Sequence, residues 1–315
     1  MDLFQYYVVV GLCIGFFIIG NFGNIISIII FTRKEFIKQP TTIYLIVSNI
    51  INLITVFYLP LIVMPEIWSK FISGTIGCKI FGGFMVILTE IQSWVYSICS
   101  LDRCITTVAP FKFQLKNKLK FQLILIFICV LILTLLCVPF LNYYTEYKNI
   151  ELDSVNQTVC LFPESLELNW VILYFKFEFG LFRIVLPFII TISSSLITVY
   201  KLCSSKLKLK VRDWNNMAKE IQFARSLIIM DILFVIFRIP TAINTSFQFN
   251  MLFMYKFMYS IFSLLGAFHN VFTFLIFVIF NKIYRQLFKM FFLGKKRETN
   301  RVKPYIVLDI LEISK

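Results

Sequence analysis

Seven long stretches of mainly apolar residues, separated by short polar segments, make up most of the chain. A helix needs about 20 apolar residues to cross the hydrocarbon core of a bilayer, and longer stretches leave room for tilt. Because the connecting segments are short, neighbouring helices are predicted to run antiparallel in a single bundle. The predicted spans are Tyr6–Phe31, Thr41–Pro65, Lys79–Val108, Leu119–Leu141, Trp170–Leu202, Ala218–Phe247 and Phe257–Phe280.

The composition agrees with a protein that crosses the membrane several times. Of the 315 residues, 59% are hydrophobic and 15% are charged, and the mean hydropathy is +0.82. Soluble domains contain roughly 45–50% apolar and ~25% charged residues. Residues 1–7 carry no Lys or Arg, so the first span lacks the basic start of a cleavable signal peptide. The predicted fold class is therefore an all-α membrane protein.

The net charge of +14 is concentrated on one side of the predicted bundle. Segments 32–40, 103–120, 201–219 and 281–315 contain 23 of the 31 Lys and Arg residues, whereas the segments on the opposite side contain 4. Because cytoplasmic loops are enriched in Lys and Arg, the C-terminus is predicted in the cytosol and the N-terminus outside the cell. This asymmetry accounts for the basic charge without a nucleic-acid partner.

The third span has a cysteine at one end and a charged pair at the other. Cys78 precedes Asp102 by 24 residues, which is about 36 Å of helix and enough to reach both membrane interfaces. Asp102 and Arg103 then lie at the cytosolic end. Cys160 follows the fourth span on the predicted outer side, where disulfides persist, and Asn156 nearby begins the glycosylation sequon Asn-Gln-Thr.

These motifs resemble those of the rhodopsin-like G-protein-coupled receptors, over roughly Gly20 to Phe292. The resemblance implies a seven-transmembrane helix bundle with a short amphipathic eighth helix, for which Phe280–Phe288 supplies apolar and basic faces. It implies a receptor domain over residues 1–293 and a cytosolic tail over 294–315. The matching positions are Gly23-Asn24, Asn52-Leu53, Cys78, Asp102-Arg103, Pro110-Phe111, Pro187 and Pro240.

The resemblance also implies roles for residues on the cytosolic side. The family places an acid at the position of Glu220, at the foot of the sixth span, facing the arginine of the third. Asp102 and Glu220 would both pair with Arg103 in the resting receptor. Phe111, which follows Pro110, would insert into the G protein.

On the outer side and within the spans, the resemblance implies a covalent link and two bends. The family joins the positions of Cys78 and Cys160 by a disulfide. Pro187 in the fifth span and Pro240 in the sixth correspond to its two helix-bending prolines.

The chain departs from the family pattern at several positions. Arg238 stands where the sixth span normally carries a tryptophan, and Ser195 replaces a tyrosine of the fifth. Residues 273–277 replace the Asn-Pro-x-x-Tyr motif of the seventh span. Asn52 replaces the carboxylate that usually holds a sodium ion, which predicts weak or absent sodium sensitivity.

Charged and polar side chains inside the spans are predicted to face the bundle interior. A charge at the bilayer centre costs roughly 2.5–3.5 kcal/mol on insertion scales, so Glu90, Arg183 and Arg238 are expected to meet. The cluster either fixes helix packing or leaves Arg238 to bind an anionic ligand group. His269 is either a hydrogen-bonded interior residue or a contact that changes on activation. The predicted intramembrane polar cluster is Glu90, Arg183, Arg238, His269, Asn24 and Asn52.

No constellation of residues indicates an enzyme. A single histidine with scattered cysteines does not provide a metal site, and no phosphate-binding glycine loop occurs. The seventh span has no lysine for a retinal Schiff base, and Met85 stands where amine receptors carry an aspartate. We therefore expect no cofactor, no metal and no catalytic residue, and neither an opsin nor a monoamine receptor.

The predicted function is that of a plasma-membrane receptor that binds an extracellular ligand and activates a heterotrimeric G protein. The loop after the fourth span is acidic, which favours a basic peptide ligand, although the orientation rule by itself depletes such loops of basic residues. The alternatives are a transporter or channel and a decoy receptor that does not signal. The predicted orientation is opposite to that of insect-type chemosensory receptor channels.

Overall fold

Seven long helices packed side by side form the bundle, in the predicted order. The computed structural model describes residues 3–37, 41–63, 75–108, 118–143, 145–152, 155–161, 182–206, 214–251 and 256–293. The helices are α1 (Leu3–Phe31), α2 (Lys34–Ile37), α3 (Thr42–Val63), α4 (Thr75–Val108), α5 (Lys118–Tyr143), α6 (Leu186–Lys206), α7 (Trp214–Met251), α8 (Lys256–Phe280) and α9 (Lys282–Leu293).

Within the described residues, five of these helices, α1, α3, α5, α6 and α8, are apolar and long enough to cross a membrane. The other two long helices, α4 and α7, are the longest, with 34 and 38 residues. They carry Glu90, Arg103, Asp231 and Arg238, and the bundle encloses much of each of these side chains.

The α4 helix lies at the centre of the bundle. It packs against α3, α5, α6 and α7, whereas α1 packs against α3 and α8. Apolar side chains of α5 such as Phe127 and Leu135 remain exposed, which is expected of a helix whose outer face meets lipid. Side chains on different faces of α4 therefore contact different helices.

Gly23 allows α1 and α8 to approach each other closely. A Cβ atom at this position would lie 2.0 Å from Cδ1 of Phe274, and one at Gly20 would lie 2.9 Å from Cγ1 of Val56. Small residues permit this kind of backbone approach between membrane helices. The Gly23-Asn24 pair therefore places the Asn24 amide against the backbone of α8.

The predicted eighth helix is present as α9, and Asn281 caps its start. The Oδ1 atom of Asn281 accepts a hydrogen bond of 3.0 Å from the backbone N–H of Tyr284, as an N-cap residue does. The Tyr284 hydroxyl makes a 2.8 Å hydrogen bond with Ser27 of α1, and burial raises the pKa of this phenol. These contacts fix α9 to the end of the bundle.

A cluster of aromatic rings fills the end of the bundle at which α9 begins. The rings of Phe31 and Phe277 are 5.0 Å apart between centroids, and those of Phe36 and Phe223 are 6.0 Å apart. Such pairs add to stability beyond the area they bury. The aromatic cluster consists of Phe31, Phe36, Phe223, Phe277 and Tyr284.

The acidic loop after the fourth span contains a β-hairpin that the sequence analysis did not predict. Strands β1 (Thr145–Leu152) and β2 (Val155–Leu161) pair in antiparallel fashion, with a shift in register between Tyr147 and Ile150. The pairing satisfies backbone groups of the segment, and both strands contact α4. The strand that carries Cys160 therefore lies against the helix that carries Cys78.

Candidate functional site

Gln92 of α4 is the centre of a buried polar network, called here the Gln92 network. Its Nε2 atom donates hydrogen bonds of 2.5 Å to Oδ1 of Asn52 and to Oδ1 of Asn270, and its Oε1 atom accepts one from Arg238 Nη2. Asn52 donates to Asn24, which in turn donates to the backbone carbonyl of Asn270. The network joins α1, α3, α4, α7 and α8.

The Gln92 network contains amides and a guanidinium but no carboxylate. Asn24, Asn52 and Arg238 were predicted from the sequence, whereas Gln92 and Asn270 were not. A polar amide in the middle of an apolar span was the available signal, because an unsatisfied amide in hydrocarbon is costly. Arg238 brings a fixed positive charge to the network, and the weak or absent sodium sensitivity expected from Asn52 stays a prediction.

The three intramembrane charges do not meet, so the prediction of a cluster of Glu90 with the two arginines is wrong. Glu90 accepts a hydrogen bond of 2.7 Å from the Cys137 thiol of α5. Arg183 donates to Thr89 Oγ1, and Arg238 donates to Gln92. Among the described residues, Oε1 of Glu90 has no hydrogen-bond partner.

The geometry of α4 explains this separation. Successive residues of a helix point about 100° apart, so Thr89, Glu90 and Gln92 face different neighbours. Thr89 contacts Arg183, three residues before α6, Glu90 contacts α5, and Gln92 points into the bundle interior. A charge exchange between Glu90 and Arg183 is therefore not expected to restore a lost contact.

Arg103 lies buried near the C-terminal end of α4, where it contacts α7. Its side chain is only 6% exposed, and its Cζ atom is 5.3 Å from the centroid of the Phe223 ring. A guanidinium over an aromatic ring at this distance is a cation–π contact. Its neighbour Asp102 accepts a hydrogen bond of 3.2 Å from Gln122 of α5.

Two further residues of the predicted switch are Glu220 and Phe111. Glu220 belongs to α7, but its side chain lies outside the described ones, and Phe111 lies outside the described residues altogether. Glu220 is in the helical turn before Phe223. The pairing of Arg103 with Asp102 and Glu220 stays a prediction, and the contact with Phe223 is a feature that the sequence analysis missed.

Asp231 of α7 is a second residue that the sequence analysis missed. Its carboxyl is 5% exposed, and its Oδ2 atom accepts hydrogen bonds of 2.7 Å from Ser100 of α4 and from Ser195 of α6. An acidic residue within the sixth span was a usable signal, because intramembrane carboxyl groups normally face a partner. Ser195, noted only as a replacement for a tyrosine, is one of its two donors.

His269 of α8 is packed between aromatic rings. It contacts Tyr96 of α4 at 4.8 Å and Phe234 of α7 at 5.1 Å between centroids, in edge-to-face geometry. Both ring nitrogens lack a hydrogen-bond partner in the part of the chain that the structure describes. Ring packing, and not hydrogen bonding, therefore connects His269 to α4 and α7.

The two bend prolines lie in or beside hydrogen-bonded contacts between helices. The backbone carbonyl of Pro187, near the start of α6, accepts a hydrogen bond of 2.9 Å from Ser97 of α4. Pro240 lies inside α7, two residues after Arg238. The side chains of Cys78, Cys160 and Asn156 lie outside the described ones, so the disulfide and the glycan stay predictions.

Comparison with known proteins identifies one family and several receptors. The family "7 transmembrane receptor (rhodopsin family)" matches residues 23–273. The chain is 26% identical to C-C chemokine receptor type 3 of Cavia porcellus over 62% of the chain and 54% of that receptor. It is 27% identical to the N-arachidonyl glycine receptor of Macaca fascicularis over 62% and 59% of the two chains. For the type-2 angiotensin II receptor of Homo sapiens the identity is 24%, over 49% and 42%. The matched region thus spans about half the length of these relatives.

Proposed function

Since the chain belongs to the rhodopsin family of seven-transmembrane receptors, we propose that it binds an extracellular ligand and activates a heterotrimeric G protein. The observation that carries this proposal is the position of Arg103, buried near the C-terminal end of α4 against Phe223 of α7. A ligand that binds better to a bundle in which α7 has moved away from α4 shifts the population towards that state. Arg103 is then released towards the cytosol.

The proposed orientation has the N-terminus outside the cell and residues 294–315 as a cytosolic tail. Its support is the concentration of Lys and Arg on one side, together with basic residues of α9 such as Lys282 and Lys289. Cations of an amphipathic helix are attracted to the anionic cytoplasmic leaflet. The plasma membrane is the proposed location of the whole chain.

The proposed ligand is a peptide. Residues 142–169, which include the hairpin, contain five acidic residues and one lysine, so this surface attracts basic groups. The relatives include a chemokine receptor and an angiotensin II receptor. Arg238 is proposed to bind an anionic group of the same ligand, because its Nε atom is buried without a partner among the described residues.

A screen in transfected cells with a promiscuous G protein and a library of peptides tests the proposed function. Ligand-dependent nucleotide exchange is the expected result. Binding without any exchange on the G proteins tested would identify a decoy receptor. Ion or solute flux without G-protein activation would identify a transporter or channel instead, which family membership disfavours.

The role of Arg238 predicts a difference between the acid and amide forms of an active peptide. Amidation of its C-terminal carboxylate is expected to lower potency on the parent receptor, because the charge-assisted hydrogen bond to Arg238 is lost. On Arg238→Gln the two forms are expected to be equally potent. An equal loss upon amidation in both receptors would contradict the assignment of Arg238.

Phe111 is expected to contact the G protein. Phe111→Ala should weaken G-protein activation while the affinity of the uncoupled receptor for its ligand stays unchanged, since the lost apolar contact lies on the cytosolic side. Dose–response curves and ligand binding in the presence of excess guanine nucleotide measure the two effects. Phe113→Ala, in the same segment, is the matched control. A parallel loss of binding would indicate misfolding.

A further inference from the structure

A buried carboxyl group joins three helices near Arg103. The hydroxyl groups of Ser100 and Ser195 both donate to Oδ2 of Asp231, each at 2.7 Å. No described residue donates to Oδ1. The side chain of Asp231 thus connects α7 to α4 and α6 through one oxygen atom.

This contact and Arg103 share a small cavity. Ser100 precedes Arg103 by one helical turn, so both side chains lie on the same face of α4. Ser100, Arg103, Ser195 and Asp231 all line a cavity of about 10 Å³, which is close to the space that a single water needs. A movement of α7 that releases Arg103 from Phe223 therefore also acts on the hydrogen bonds of Asp231.

Ser195 is suited to this arrangement by its size. A tyrosine at this position would not place its hydroxyl at the same point, because its ring holds the oxygen much farther from the backbone. The short serine hydroxyl reaches the Asp231 carboxyl directly. The replacement of the family's tyrosine by Ser195 thus coincides with an acidic residue, Asp231, on the neighbouring helix α7.

We propose that Asp231 is a positioning residue of the activation switch, which holds α7 against α4 and α6 in the resting receptor through Ser100 and Ser195. The proposal rests on the function proposed above. Activation then requires both hydrogen bonds to break, whereas the cation–π contact between Arg103 and Phe223 constrains the cytosolic end of the same helix. The two contacts hold α7 at different levels.

The test measures basal nucleotide exchange at equal surface density in the full-length receptor. Ser100→Ala and Ser195→Ala are each expected to raise it by about two- to tenfold, the effect of one net hydrogen bond on an equilibrium. Asp231→Leu is expected to raise it at least as much. In the Asp231→Leu background the serine replacements should add nothing, because contacts within one network are not additive.

Two buried serines provide matched controls. Ser93 of α4 and Ser226 of α7 donate to carbonyl groups of their own helices, at 3.0 Å each. Ser93→Ala and Ser226→Ala are therefore expected to leave basal exchange unchanged. A rise in the controls equal to that in Ser100→Ala would overturn the proposal, because it would reflect general loosening of the bundle.

Hydrogen–deuterium exchange of the purified receptor tests the contact of Asp231 with the two serines without relying on G-protein activation. Faster exchange of α7 amides in Ser100→Ala and Ser195→Ala, but not in the controls, supports the Asp231 contact even if no G protein responds. Unchanged exchange of α7 and unchanged basal activity in the combined serine variant overturn it. Both serine replacements are small, so the test does not depend on whether Asp231→Leu folds.

Discussion

Arg103→Ala is expected to abolish G-protein activation while the receptor still reaches the cell surface and binds its ligand. The guanidinium is buried against Phe223 in the bundle described here, and in the proposed active state it contacts the G protein. Alanine removes the group that acts in that state, so neither ligand nor further loosening of α7 can restore signalling. Nucleotide exchange per surface receptor, with and without ligand, measures the effect.

Variants that release Arg103 without removing it are expected to act in the opposite direction. Phe223→Leu removes a cation–π contact that typically contributes about 0.5–2 kcal/mol, and Glu220→Ala removes the predicted acidic partner, so both should raise basal exchange. Arg225→Ala is the control, because Arg225 of the same helix lies over the ring of Phe280, 5.4 Å from its centroid. Unchanged basal exchange in Glu220→Ala at equal surface expression would remove Glu220 from the switch.

Cys78→Ser and Cys160→Ser are each expected to abolish surface expression or ligand binding. Loss of an extracellular disulfide usually costs about 2–5 kcal/mol, and here it would free the hairpin from α4. Strand β2, which carries Cys160, packs against α4, which carries Cys78 in its first turn. Surface biotinylation measures arrival at the membrane, and the predicted glycan on Asn156, where it is found, marks outward exposure.

Replacement of a cysteine outside the predicted disulfide tests whether loss of any cysteine lowers surface expression. Cys129 is a free, half-buried thiol of α5, so Cys129→Ser is expected to express normally. Mass spectrometry of the mature receptor after alkylation identifies the pairing directly. Alkylation of both Cys78 and Cys160 without prior reduction would show that the two thiols are free and that the predicted bridge is wrong.

The number and order of the seven long helices followed from the sequence because apolar length is a local property. Each span must pair its own backbone N–H and C=O groups in lipid, which favours a helix. A run of about 20 apolar residues is therefore sufficient to identify a span. The same holds for α9, whose apolar and basic positions repeat along the chain. The roles of Asn281 and Gly23, in contrast, were visible only in the structure. Asn281 caps α9 through the N–H of Tyr284, and Gly23 makes room for the ring of Phe274.

The sequence by itself determined that the charged residues of the spans would turn away from lipid, because an isolated charge in hydrocarbon is costly. It did not determine their partners. Glu90 meets Cys137 and Arg238 meets Gln92, since a helix turns about 100° per residue and the packing of its neighbours decides which side chain each face reaches. For the same reason only the tertiary structure brought Asp231 of α7 to serines of two other helices.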